Sequence, residues 1–143
     1  MADRFDLSRF VDAQDGGRAY ERACEELRAG RKTSHWMWFV FPQIEGLGTS
    51  EMARRFAISS LEEARAYLAD PVLGQRLLEC AELVRSSAAA SATVLLDAID
   101  AIKLRSSMTL FARAAPDEPV FGEVLERYFA GEPDGETERR LGL

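Results

Sequence analysis

Apolar residues recur along this chain at spacings of three and four and nowhere alternate over a convincing length, which confines the backbone to helices rather than sheets. After the break "DGG" at Asp15 to Gly17, Tyr20, Ala23, Cys24 and Leu27 follow the spacing of one helical face, and Gly30 suits the stop. "SLEE" places Ser60 three residues before Glu63, so that hydroxyl and carboxylate can satisfy each other's orphan backbone donors. It predicts a helix from about Leu61 to Ala69. Asp70 then caps and Pro71 opens a further helix carrying "VLGQRLLECAELV", since the missing proline N–H has no partner in a first turn anyway. "TVLLDAI" is short and apolar and fits helix or strand. Asp100 is read as the cap of the next helix, "AIKLRSSMTLFARAA", in which Leu104, Met108 and Phe111 share one face and Lys103 and Ser107 a neighbouring one. Finally, "PVFGEVLERYFAG" aligns Phe121, Val124, Leu125 and Tyr128 and ends at Gly131.

With 143 residues, 47% of them hydrophobic, the chain can bury one core of ordinary size. The expected architecture is mainly α: a single compact helical domain over residues 1–143, with one long aromatic-rich loop. A net charge of -6 and a pI near 4.9 argue against non-specific binding to nucleic acid or anionic lipid, although a local basic pocket stays compatible with them. The start, "MADRFDLSRF", mixes acids with bases and lacks the apolar run of a secretory signal. No stretch approaches the roughly 18 apolar residues of a membrane span, so a cytoplasmic location is expected. Cys24 and Cys80 stand far apart with no CxxC pair, and one histidine cannot supply a zinc set. Both thiols are expected to be reduced, helix-buried and inert, with no metal and no cofactor required. Nothing in the sequence fixes an oligomeric state.

The long connection from Arg31 to Ser50 contains "SHWMWFVFPQ", which holds both tryptophans, two of eight phenylalanines and the only histidine. Long connections inside compact domains are functional or disordered, and this one is too aromatic for disorder. Ser34 fits the cap of a short helix with Trp36, Phe39 and Val40 inward and His35 and Trp38 on another side, ended by Pro42. The plain alternative is a hydrophobic plug, with His35 held by a backbone carbonyl. Polar neighbours Arg31, Lys32 and Gln43 give the segment the look of a site. Beyond it, Gly46 and Gly48 flank Leu47 in "QIEGLGTSE", and Ser50 at a helix start brings free N–H groups to the same region. A phosphate loop and an ordinary turn both fit, and the Walker and dinucleotide patterns are absent. In "KLRSSMTLF", Lys103, Arg105, Ser106 and Ser107 gather into a possible diphosphate grip or a solvated helix face.

"RFVDAQ", "YERACEEL", "SHWMWFVFPQIEGLG", "AYLADPVLGQRLLEC" and "KLRSSMTLF" closely resemble the small bacterial proteins grouped as domain of unknown function 1810, from about Phe5 to Phe129. That family resembles in fold the mainly helical YbiA-like or NADAR superfamily, named for NAD and ADP-ribose. The resemblance implies N-glycosidic bond cleavage in an ADP-ribosyl or phosphoribosyl compound. A small-molecule nucleotide or ADP-ribose derivative is then the expected partner. Carried onto this sequence, the pattern points to Ser34, His35, Trp36, Trp38, Gln43, Gly46, Gly48, Lys103, Arg105, Ser106 and Ser107; the neighbouring Lys32 joins them as a ligand-binding candidate, and His35 or Gln43 is expected at the leaving group. Where relatives show an "IFG.PD"-like entry to the basic segment, this chain has "LLDAID", with Asp97 and Ile99 in place of glycine and proline.

Cleaving a glycosidic C–N bond builds positive charge on the ribose carbon and calls for a carboxylate beside it. Glu45, Glu51 and Asp100 are the candidates, and Glu51 is preferred. A nucleotide-sensing module that does not cleave would use the same aromatic and basic residues. A third class, an interaction protein, would expose "SHWMWFVFPQ" as a partner-facing patch.

Overall fold

In the computed structural model, which describes residues 3–143, the helical reading holds: helices dominate, and among the described residues the only sheet-like contact is an isolated bridge between Ile44 and Ile58. The helices are α1 (Ser8–Asp15), α2 (Ala19–Ala29), α3 (Met37–Val40), α4 (Glu51–Arg55), α5 (Leu61–Ala69), α6 (Leu73–Arg85), α7 (Ala92–Leu95), α8 (Ala98–Ala114), α9 (Pro119–Phe129) and α10 (Gly135–Arg140). No described helix is long and apolar enough to cross a membrane.

Local chemistry sets most boundaries. The glycines after Asp15 form a 3-10 turn in which Gly17 has φ +58°, and Gly30 ends α2 at φ +80°. Ser60 caps α5 by accepting from the Glu63 N–H at 3.1 Å, but the reciprocal half of the expected box is absent. The Glu63 carboxylate instead accepts from the Ser59 N–H and hydroxyl and pairs with Arg9 at 3.0 Å, because Arg9 also donates to the carbonyls of Arg55 and Ala57 and draws it inward. The Asp70 carboxylate accepts from the Val72 and Leu73 N–H groups, so α6 starts just beyond Pro71 rather than at it. The ambiguous "TVLLDAI" is split by Asp97, at φ +130°. Asp97, not Asp100, caps α8, accepting from the Asp100 N–H at 2.7 Å; the two aspartates stand three positions apart, and the earlier one takes the cap.

The core centres on α8, the longest helix, which packs against α5, α7, α9 and α10. Tyr67, Phe111 and Phe121 stack in series through it, with ring centroids 5.4 and 5.8 Å apart. Ser107, expected beside Lys103 on an outer face, is fully buried, because α8 is enclosed on more than its Leu104 side. Between α5 and α6 the backbones close so tightly that a Cβ on Gly74 would stand 2.1 Å from the Leu68 carbonyl oxygen. Gly74→Ala is therefore expected to lower stability by about 2 kcal/mol. Urea unfolding checks this; a variant as stable as the parent would mean that the α5–α6 turn yields.

Candidate functional site

The aromatic connection is mostly core. Trp36, Met37, Phe39, Val40 and Phe41 are all buried, so the run presents no broad apolar patch for a partner, and the interaction-protein reading loses its surface. Its short helix, α3, begins after Trp36 and has no side-chain cap. Ser34 does not cap it because its hydroxyl is taken elsewhere, donating to Glu26 Oε2 at 2.5 Å.

Glu26, in the last turns of α2, organises the whole approach. Its carboxylate also accepts from the Thr33 N–H at 2.7 Å, the Ser34 N–H at 3.0 Å and the Trp36 indole N–H at 2.9 Å. Burial pushes this carboxyl up, but the four hydrogen bonds to its ionised form outweigh burial and hold it at about 2, against an ordinary 4.5. The Lys32 N–H donates to the Leu95 carbonyl at 2.7 Å, tying the same loop to α7. Together these contacts fix residues 32–36 between α2 and α7.

Two cavities lie along that seam. The smaller, of about 310 Å³, is lined by Lys32, Thr33, Ser34, His35, Met37, Trp38, Leu96, Asp97, Ile99 and Asp100. The larger, of about 470 Å³, is lined by Gln43, Leu47, Gly48, Thr49, Ser50, Ala53, Ile99, Ile102, Lys103, Ser106, Asp134 and Glu136. Ile99 belongs to both, and at the same junction Lys103 of the larger cavity lies over Trp38 of the smaller, its Nζ 5.0 Å from the ring centroid. Asp100 is held by both basic side chains: Lys32 Nζ is 2.9 Å from Oδ2 and Lys103 Nζ 3.6 Å from Oδ1. Since their side chains are only 8%, 10% and 21% exposed for Lys32, Asp100 and Lys103, this relay operates with little water around it.

The seam thus gathers Lys32, Ser34, His35, Trp38, Gln43, Gly48, Lys103 and Ser106. Gly48 has a steric role, since a Cβ there would stand 2.5 Å from the Ala53 side chain and push α4 away. Other expected residues stand apart. Trp36 is 1% exposed, with its indole N–H committed to Glu26, and offers no free face. Arg105 points toward the C-terminal segment, donating to the Glu132 carbonyl and lying over Phe129. Ser107 is enclosed, its hydroxyl without a partner among the described residues. Gly46 lines neither cavity and serves a turn at φ +94°. Glu51 is exposed in the first turn of α4 and lines neither cavity, whereas Asp97, Asp100, Asp134 and Glu136 do.

Sequence reasoning missed Glu26, Asp134 and Glu136. Glu26 had a faint signal: an acid near a helix C-terminus opposes the macrodipole, so another interaction has to retain it. Asp134 caps α10 through the Thr137 N–H and also accepts from Ser106, which joins the chain's end to α8.

The family model described as "Protein of unknown function (DUF1810)" matches residues 4–141. Among solved structures, the crystal structure of the conserved hypothetical protein Rv1873 from Mycobacterium tuberculosis is similar. It has 50% sequence identity and a TM-score of 0.95, over 99% of each chain. No curated protein matches the chain.

Proposed function

Because the chain belongs to the DUF1810 family, whose description assigns no chemistry, we propose a function from its own cavities: an N-glycosidase-like hydrolase acting on an ADP-ribosyl or phosphoribosyl N-glycoside. The observation that carries this reading is the junction of the two cavities, where an indole, two lysines and a carboxylate converge within one largely buried seam. Trp38 takes the face of the leaving base. Lys103 and Lys32 hold phosphate, with Ser106 and the Gly48 backbone beside it. Hydroxyls of the sugar donate to the carboxylates of the larger cavity. Asp100 replaces Glu51 as the carboxylate that faces the positive charge developing on the ribose carbon. As the C–N bond breaks, its electron pair goes to the base, the water oxygen bonds to the carbon, and a proton passes to the base nitrogen by way of His35.

One feature favours a second reading, a nucleotide sensor without turnover. Asp100 is already neutralised by two cations, which weakens its field at a reacting carbon.

Calorimetric titration with NAD, ADP-ribose and ribose 5-phosphate, followed by chromatography for a released base, separates the two. Saturable binding with a released base is expected, and Lys103→Ala should weaken binding by about 10- to 100-fold, the loss of one charge-assisted contact. Binding without release would transfer the assignment to the sensor. No binding to any of the three would overturn the ligand class.

A further inference from the structure

The larger cavity carries apolar surface for which a sugar or a phosphate has no use. Ile99 and Ile102 are 68% and 67% exposed, and both stand in its lining, one helical turn apart on α8. Leu47 and Ala53 add to the lining from the α4 side. Hydroxyls and phosphate oxygens set against such side chains would lose water without gaining a partner. Among these residues stands a polar side chain with no internal role. The Gln43 backbone is fixed, its carbonyl accepting from the Ile58 N–H at 2.8 Å beside the Ile44–Ile58 bridge. Its half-buried side-chain amide makes no hydrogen bond among the described residues. An amide offers a donor and an acceptor side by side, the pair that matches the amino group and neighbouring ring nitrogen of adenine. A pocket with apolar walls and a few fixed polar groups, of about 470 Å³, suits a planar base.

We propose that the larger cavity is a second nucleobase site, in which Ile99 and Ile102 lie against an adenine and the Gln43 amide reads its amino edge. The inference rests on the proposed function and narrows it. Of the two classes of N-glycoside, the ligand is the ADP-ribosyl one, because a phosphoribosyl compound has a single base and Trp38 takes it. The leaving base and the adenine then lie to either side of Ile99, the residue common to both cavities. The diphosphate between them crosses the junction at Lys32 and Lys103, the two cations that meet there. Gln43, expected from the sequence beside the leaving group, serves the opposite end of the ligand, since it lines the larger cavity and His35 and Trp38 the smaller.

NAD and nicotinamide mononucleotide carry the same base on the same phosphoribosyl group and differ by the adenylate half. The test is calorimetric titration of both into the parent, Gln43→Leu and Ile102→Asn, with chromatography for released nicotinamide. The parent should bind NAD about 10-fold or more tightly than the mononucleotide, and each variant should cut that preference by about 3- to 10-fold. Ile102 is an exposed position, so its variant decides if Gln43→Leu disturbs the fold. Equal affinity of the parent for the two compounds, or a preference that survives in both variants, overturns the base site. Release of nicotinamide in that case would leave the glycosidase reading standing. A preference that falls in the variants, with no nicotinamide released, supports the base site and transfers the function to the sensor. A preference that vanishes in Trp38→Ala and persists in the other two variants puts adenine in the smaller cavity and overturns the proposal. Binding of neither compound overturns both the proposal and the ligand class.

Discussion

Asp100→Asn is expected to lower unfolding free energy by about 3 kcal/mol, the largest loss foreseen for any single substitution at the seam. The substitution is nearly isosteric, so packing is kept and the charge alone is removed. Lys32, with its side chain 8% exposed, then keeps a charge that has lost its ion-pair partner, next to a second cation. Urea denaturation at neutral pH measures the loss. If the seam holds phosphate, inorganic phosphate should restore more stability to this variant than it adds to the parent, because an anion there supplies the missing counter-charge. A variant as stable as the parent would show that the relay is solvated.

The second large effect is expected at Glu26 and depends on pH. The folded carboxyl lies at about 2, below its ordinary 4.5, so its ionised form contributes stability fully above pH 4.5 and loses that contribution as pH falls toward 2. The contribution is about 2 kcal/mol after allowance for the part of the carboxylate that water reaches. Glu26→Gln should therefore be about 2 kcal/mol less stable at neutral pH, and the two stability curves should converge between pH 4.5 and 2. Parallel curves over that range would place the stabilisation elsewhere. Because the four donors come from residues 33–36, the variant should also weaken any ligand held by Lys32 and His35.

Helix positions were legible where one residue type has one local outcome. Gly30 stops α2 by its left-handed backbone, and Ser60 caps α5, whose bounds of Leu61–Ala69 were foreseen. Legibility failed where two residues competed for one role. Asp97 and Asp100 both suit a cap, and only the fold decides that the first takes it, freeing the second for Lys32 and Lys103. Ser107 and Arg105 were misplaced because helical spacing relates residues to one another and does not say how many sides of α8 are covered. Glu26 escaped because its partners lie beyond the turn that follows its helix, outside the reach of any periodicity. Lys32, His35, Trp38, Gln43, Lys103 and Ser106 were found together because rare residue types cluster in two short segments that the fold sets side by side.

The larger cavity is walled unequally. On one side ten residues of α8 are buried, while on the other α4 buries none. The α4 segment is moored by a pair of backbone hydrogen bonds, from Glu45 N–H to the Ile58 carbonyl and from Ile58 N–H to the Gln43 carbonyl. Local opening free energy scales with buried contact, so the two walls differ in compliance. A guest in this cavity is shaped by the stiff wall and accommodated by the soft one: α8 sets which groups are recognised, and α4 sets how much bulk beyond them is tolerated.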